Sequence, residues 1–333
     1  MNNVKCSVLS VQWLWVKGFL PLLLLITLNS SLITILAGCA SKQVDKIPAV
    51  KQKAVDLNYA GVKYSDNYNK ALKNFERALI INKKIDNRTG IVVNELNIAR
   101  TYIAEGRYET AFPFIKEAVD MAESESDVLL LSEAYATISN YYYLNGDYNK
   151  SLSYIEKGID IDKHHGLSSV GGKLNLKALV YKATGEADKS MEVINEALKQ
   201  NESGNNRRGV ADTYRVSGSV MLSGKKYDDA VLNFEKALAI DKELARGRAI
   251  ALDLTGLANV YVGKGEYRKA IDYLKKAYDV NAANSYKENA LADIDRIIET
   301  ATLLGDTNIV RIFSEERERF VSDSNLSVGR GLK

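Results

Sequence analysis

Glu105-Gly106-Arg107-Tyr108-Glu109-Thr110-Ala111 decides the fold, because it does not occur once. Asn145-Gly146-Asp147-Tyr148-Asn149-Lys150-Ser151 and Lys264-Gly265-Glu266-Tyr267-Arg268-Lys269-Ala270 repeat its pattern. Weaker copies are Thr184-Gly185-Glu186-Ala187-Asp188-Lys189-Ser190, Lys226-Tyr227-Asp228-Asp229-Ala230 and Asn67-Tyr68-Asn69-Lys70-Ala71. The position held by the tyrosine falls at 68, 108, 148, 187, 227 and 267, in steps of 40, 40, 39, 40 and 40. Thr307, after Gly305-Asp306, extends the series by another 40. Self-similarity at such a period marks a stack of supersecondary units, each of which buries its apolar face only against its neighbours.

Each unit reads as two helices. The first carries apolar residues at helical spacing, as in Leu254, Leu257, Ala258 and Tyr261, or Tyr135, Ile138 and Tyr142. A glycine then turns the chain, since it tolerates the positive φ that ends a helix. The second helix follows, with Ala71, Phe75, Ala78 and Leu79, or Ala230, Phe234, Ala237 and Leu238, or Ala270, Leu274 and Ala277. The alanines let helices approach closely and the aromatics fill the wider gaps. Only three prolines occur, Pro21, Pro48 and Pro113, as long helices require.

The motifs Ala99-Arg100-Thr101-Tyr102, Ser139-Asn140-Tyr141-Tyr142 and Ala258-Asn259-Val260-Tyr261, with the alanine-to-phenylalanine steps 71–75 and 230–234, resemble the tetratricopeptide repeat (TPR) family. The likeness covers about residues 55–315. It departs in its period, 40 against the familiar 34, and in lacking the closing proline. It therefore resembles the longer-helix variant found in cell-polarity adaptors and bacterial peptide-sensing regulators. The resemblance implies an all-α, right-handed superhelical solenoid of antiparallel helix pairs, with six to seven repeats. Units are expected near 55–91, 92–131, 132–170, 171–210, 211–250, 251–290 and 291–322, with 323–333 as a disordered tail.

The N-terminal segment has a different character. Residues 19–37, FLPLLLLITLNSSLITILA, are nearly all apolar and follow Lys17. They end in Leu36-Ala37-Gly38-Cys39, which resembles the bacterial lipobox. The resemblance implies a signal peptide over 1–38, cleavage between Gly38 and Cys39, and lipid on the Cys39 thiol. Residues 39–54 read as the lipidated N-terminus and a flexible tether. Ala40 and Ser41, with no aspartate beside Cys39, suggest the periplasmic side of the outer membrane in a Gram-negative host. An uncleaved membrane anchor is the competing reading of the apolar run.

Apart from Lys5 and Lys17, the chain carries 43 basic and 42 acidic residues, a balance that gives no pull toward nucleic acid. The only cysteines, Cys6 and Cys39, lie outside the repeats, which excludes a disulfide or thiolate metal site within them. His164 and His165 are adjacent and diverge on a helix, so no metal and no cofactor is expected. No catalytic constellation is visible, and the protein is read as a non-enzyme. The expected partner is a protein or peptide, with the lipid as the membrane contact.

By the family resemblance, the first helix of each pair (A) lines a concave binding face. Arg100, Ile103, Asn140, Tyr143, Lys182, Arg215 and Asn259 are the candidate contacts, the polar ones for a ligand backbone and Ile103 and Tyr143 for its apolar side chains. As surface residues, Arg215 and Asn140 are expected to tolerate alanine with little loss of stability. The leading function is an interaction scaffold or assembly factor of the cell envelope. The alternative is an extracytoplasmic peptide-binding sensor.

Overall fold

The structure is a computed structural model that describes residues 46–65 and 67–329. The proposed signal segment, Gly38 and Cys39 lie outside the described residues. Among those described, fourteen helices and no strand are present. They form seven antiparallel A/B pairs. These are α1 (Lys46–Lys63) with α2 (Tyr68–Lys84), α3 (Arg88–Ala104) with α4 (Tyr108–Ser124), and α5 (Val128–Leu144) with α6 (Tyr148–His165). Then come α7 (Val170–Ala183) with α8 (Ala187–Ser203), α9 (Arg207–Ser223) with α10 (Tyr227–Glu243), α11 (Gly247–Gly263) with α12 (Tyr267–Ala283), and α13 (Lys287–Leu304) with α14 (Thr307–Gly329).

Three expected boundaries need correction. Helix α1 begins at Lys46, inside the stretch 39–54 read as a tether. Pro48 sits in its first turn, where a missing amide costs no intrahelical bond. Helix α14 continues to Gly329, beyond the expected end of the solenoid at 322. The expected unit starts at 92, 132, 171, 211, 251 and 291 fall inside A helices that begin at Arg88, Val128, Val170, Arg207, Gly247 and Lys287.

The turns explain the regularity. After each A helix from α3 onward, one residue takes a left-handed conformation: Gly106, Gly146, Gly185, Lys225, Gly265 and Gly305. The next amide then reaches back to close the turn, Arg107 to the Tyr102 carbonyl at 2.8 Å and Glu266 to that of Tyr261 at 2.9 Å. After B helices, Asp86, Gly166, Asn205, Ala245 and Ser285 play the same part.

The B-to-A junctions hold a feature that stands where the family's closing proline is missing. Asn82, Asp162, Asn201, Asp241 and Asn281 recur at the repeat period near the ends of B helices, and all are buried. Asn82 donates to Asn94 at 2.7 Å, Asn201 to Thr213 at 3.1 Å and Asn281 to Asp293 at 2.6 Å, each twelve residues on. Residues five further on close the turn: Asn87 donates to Asn82, Asn206 to Asn201 and Arg246 to Asp241. In the second unit the position is Ala122, and the ladder is absent there.

The core is built as the alanine pattern requires. Ala71, Ala78, Ala111, Ala118, Ala230, Ala237, Ala270 and Ala277 are wholly buried. Phe234 packs between glycines of the flanking A helices. A Cβ on Gly256 would lie 2.4 Å from its ring, and one on Gly218 would lie 3.0 Å away. Phe75 packs against Gly61 in the same manner.

Candidate binding surface

The backbones of consecutive A helices approach one another along the stack, α3 to α5, α5 to α7, α7 to α9 and α9 to α11, whereas consecutive B helices meet through long side chains, as Lys83 with Glu117 at 3.1 Å and Lys163 with Glu196 at 2.7 Å. A stack whose A helices lie closer together than its B helices curves with the A helices inside. The inner face is therefore made by the elements that carry the candidate residues.

What those residues do there differs from the expectation. Arg100 of α3 donates to Thr137 (3.0 Å) and Glu133 (2.7 Å) of α5. Lys182 of α7 donates to Ser219 of α9, and burial holds its pKa down. Arg215 of α9 bonds Asp253 of α11, Asp212 of its own helix and Asp241 of α10. Asn259 of α11 accepts from Arg296 of α13. Four of the seven candidates are thus rungs that tie one repeat to the next. Each of the four commits at least one polar group to a neighbouring repeat. The physical reason is the period: equivalent positions on adjacent A helices come within side-chain reach, and half-buried polar groups pair there.

Three candidates remain. Ile103 is partly buried against the N-terminal core cluster. Asn140 is half-buried and its side chain has no hydrogen-bond partner among the described residues. One helical turn on, Tyr143 is half-buried with its ring 6.0 Å from that of Tyr148, and burial raises its hydroxyl pKa. The structure brings Asn140 and Tyr143 together at the C-terminal half of α5.

Two arrangements escaped the sequence reading. The Lys173 ammonium, 3% exposed, donates to Glu133 and Asp162, each at 2.9 Å. Burial works against the charge of Glu133, yet Arg100 and then Lys173 hold its carboxyl below the usual range. Asp162 belongs to the 40-residue polar register, which was the available signal. The second is Arg248 of α11. Its guanidinium lies 5.3 Å from the Tyr68 ring centroid and 4.9 Å from that of Tyr286, and it donates to the Tyr68 hydroxyl at 3.0 Å. This joins the first repeat to the sixth across 180 residues of sequence, and no local pattern announces it. A cavity of about 570 Å³ lies beside it, lined by Arg208, Arg215, Arg246, Leu252 and Tyr286 among others.

Among the described residues no group of three or more His, Cys, Asp or Glu side chains could hold a metal ion. His164 and His165 are exposed, with their rings edge to face.

This is a helical-repeat solenoid. Tetratricopeptide-repeat models match residues 54–124 and 90–164, and further ones match 174–203 and 254–284, together just over half the chain. The chain belongs to the tetratricopeptide-repeat family. It is 26% identical over 212 residues to the heat shock protein STI1 of Saccharomyces cerevisiae, covering 62% of this chain but only 31% of that protein. Apo RapI is similar in structure, with a TM-score of 0.60 at 13% identity over 73% of this chain and 86% of that one. NprR in complex with its cognate peptide NprX gives 0.51 at 16% identity, over 82% and 79%. The tetratricopeptide sensor protein PH0952 of Pyrococcus horikoshii, a STAND signal-transduction ATPase, gives 0.56 at 17% identity, over 84% and 44%. At these identities the structural likeness is one of fold.

Proposed function

We propose that this chain is a lipid-anchored bacterial envelope protein whose inner face holds an extended segment of a partner protein, and that it acts as a scaffold or assembly factor by binding rather than catalysis. The observation that carries the binding reading is the contrast on the inner face. Most of the polar candidates make inter-repeat bonds, while Asn140 has an amide with no partner among the described residues, beside half-buried Tyr143. An amide with both donor and acceptor free suits a peptide backbone, and a half-buried ring suits an apolar side chain. NprR, of similar fold, is solved with its cognate peptide. The anchor rests on the Leu36-Ala37-Gly38-Cys39 motif, and the periplasmic side of the outer membrane is its proposed address.

Capture of partners from membranes tests the first part. Asn140→Ala and Tyr143→Ala lower capture while leaving the melting temperature nearly unchanged; a yield from each variant equal to that of the unaltered chain would exclude this surface. Labelled palmitate tests the anchor. The Cys39→Ser chain incorporates none, and persistent labelling overturns the lipobox reading. A peptide-binding sensor is the second reading, favoured by the Tyr68–Arg248–Tyr286 contact. A ligand seated inside the curve would strain or relax that junction.

A further inference from the structure

A stack of repeats is expected to end on polar faces, because its terminal helices have no neighbour to cover them. The C-terminal end is mainly polar: α14 exposes Arg311, Glu315, Arg317, Glu318 and Arg319, with Arg311 paired to Glu315 at 2.8 Å, and Leu303 and Ile312 are isolated exposed apolar side chains of the last repeat. The N-terminal end does not. Helix α1 buries Ala54 and packs Gly61 against Phe75, yet turns Val55, Tyr59 and Val62 outward at 53%, 71% and 52% exposure. These three share one face at the i, i+4, i+7 spacing, and exposed Pro48 and Lys51 extend the same stripe. Lys63 follows Val62 at its edge. Helix α1 has four lysines against one acid, Asp56.

We propose that this face of α1 rests on an anionic lipid surface, so that the first repeat is the membrane-docked end of the solenoid. The proposal builds on the lipid anchor at Cys39. Three observations favour lipid over a second copy of the chain. Lysines along the stripe attract anionic headgroups but repel the same lysines on a symmetric partner. A tyrosine among short aliphatic side chains suits the interface between headgroups and acyl chains. And α1 starts seven residues after Cys39, so a lipidated cysteine holds it within about 25 Å of the bilayer whatever path those residues take.

The test uses the full chain, recovered from membranes and reconstituted into phosphatidylcholine vesicles with or without phosphatidylglycerol. A nitroxide is attached in Tyr59→Cys, the one free thiol once residues 1–38 are cleaved and Cys39 carries lipid, and in Glu318→Cys as the distal control. In anionic vesicles the label on α1 is relaxed by oxygen and shielded from a water-soluble nickel chelate, whereas the control stays aqueous. Lys51→Glu with Lys63→Glu reduces the lipid-contacting fraction about fivefold or more. A label on α1 that stays open to nickel in anionic vesicles overturns the proposal. So does spin–spin broadening without vesicles, which would assign the face to a second copy. Palmitate incorporation, read on the same samples, reports the anchor separately: an aqueous label on a palmitoylated chain sinks the docking face alone.

Discussion

Arg215 of α9 donates its Nε to Asp253 of α11 across 2.6 Å, although 38 residues separate them, and both side chains of its strongest pairs, Asp253 and Asp241, are wholly buried. Burial works against the arginine's charge, yet Asp253 and then Asp212 hold its pKa above the usual value. Arg246 adds a second cation against Asp212 and Asp241, each at 2.9 Å. Arg215→Ala therefore leaves buried carboxylates short of a partner and costs about 3–5 kcal/mol. This reverses the expectation that the change is benign. Adding Asp253→Asn recovers part of the loss, as a double-mutant cycle in urea would show. A cost below about 0.5 kcal/mol for the single change contradicts the assignment.

Stability should fall as the pH rises from mildly acidic to mildly alkaline. Burial pushes the Glu95 carboxyl up to about 7 and that of Asp293 up to about 6, and it raises Asp253 as well. Unfolded carboxyls titrate near 4. Between the unfolded and folded values the native protein binds the extra proton, so stability declines through that window and levels off above about pH 7. The melting temperature is expected to be higher at pH 5.5 than at pH 8. Glu95→Gln stabilises the protein at pH 8 by something on the order of 2 kcal/mol, since its exposed partner Lys83 contributes little. A melting temperature that climbs from pH 5.5 to 8 would contradict this.

Small residues in the core set the distance between helices. Ala237→Leu inserts three carbons at a wholly buried site and costs about 1–3 kcal/mol. Gly256→Ala places a carbon against the Phe234 ring and costs a similar amount, by calorimetry. The pair Gly256→Ala with Phe234→Leu should cost less than the sum of its parts.

Left-handed turn positions give a prediction of opposite sign. Ala245 takes φ 52°, which strains any side chain, so Ala245→Gly should stabilise by about 0.5–1 kcal/mol. Gly265, at φ 75°, should resist valine, and Gly265→Val lowers the melting temperature. No gain from the glycine at 245 would mean that the strain is relieved locally.

Most of the architecture is legible in the amino-acid sequence. The 40-residue return of Gly-x-Tyr, the alanine stripes and the A-helix tyrosines give helix pairs, their number and their order, because each of these signals is local and repeats. The ladder at 82, 162, 201, 241 and 281 was equally periodic but carries polar residues. A search for apolar spacing passes over it.

Which of the candidate residues stay open to a ligand was decided by the tertiary structure. Arg100, Asn140, Lys182, Arg215 and Asn259 all belong on the A helices by sequence, and nothing in their own surroundings along the chain separates them. Only the packing of the stack brings Arg215 to Asp253 and Arg296 to Asn259 while leaving Asn140 without a partner among the described residues. The same packing carries Arg248 to Tyr68, a contact between repeats that share no local signal. The repeat is dictated by hydrophobic periodicity, which the chain carries in every unit. The site is dictated by which half-buried polar groups find one another across units, and that depends on the packing angle summed over the whole stack.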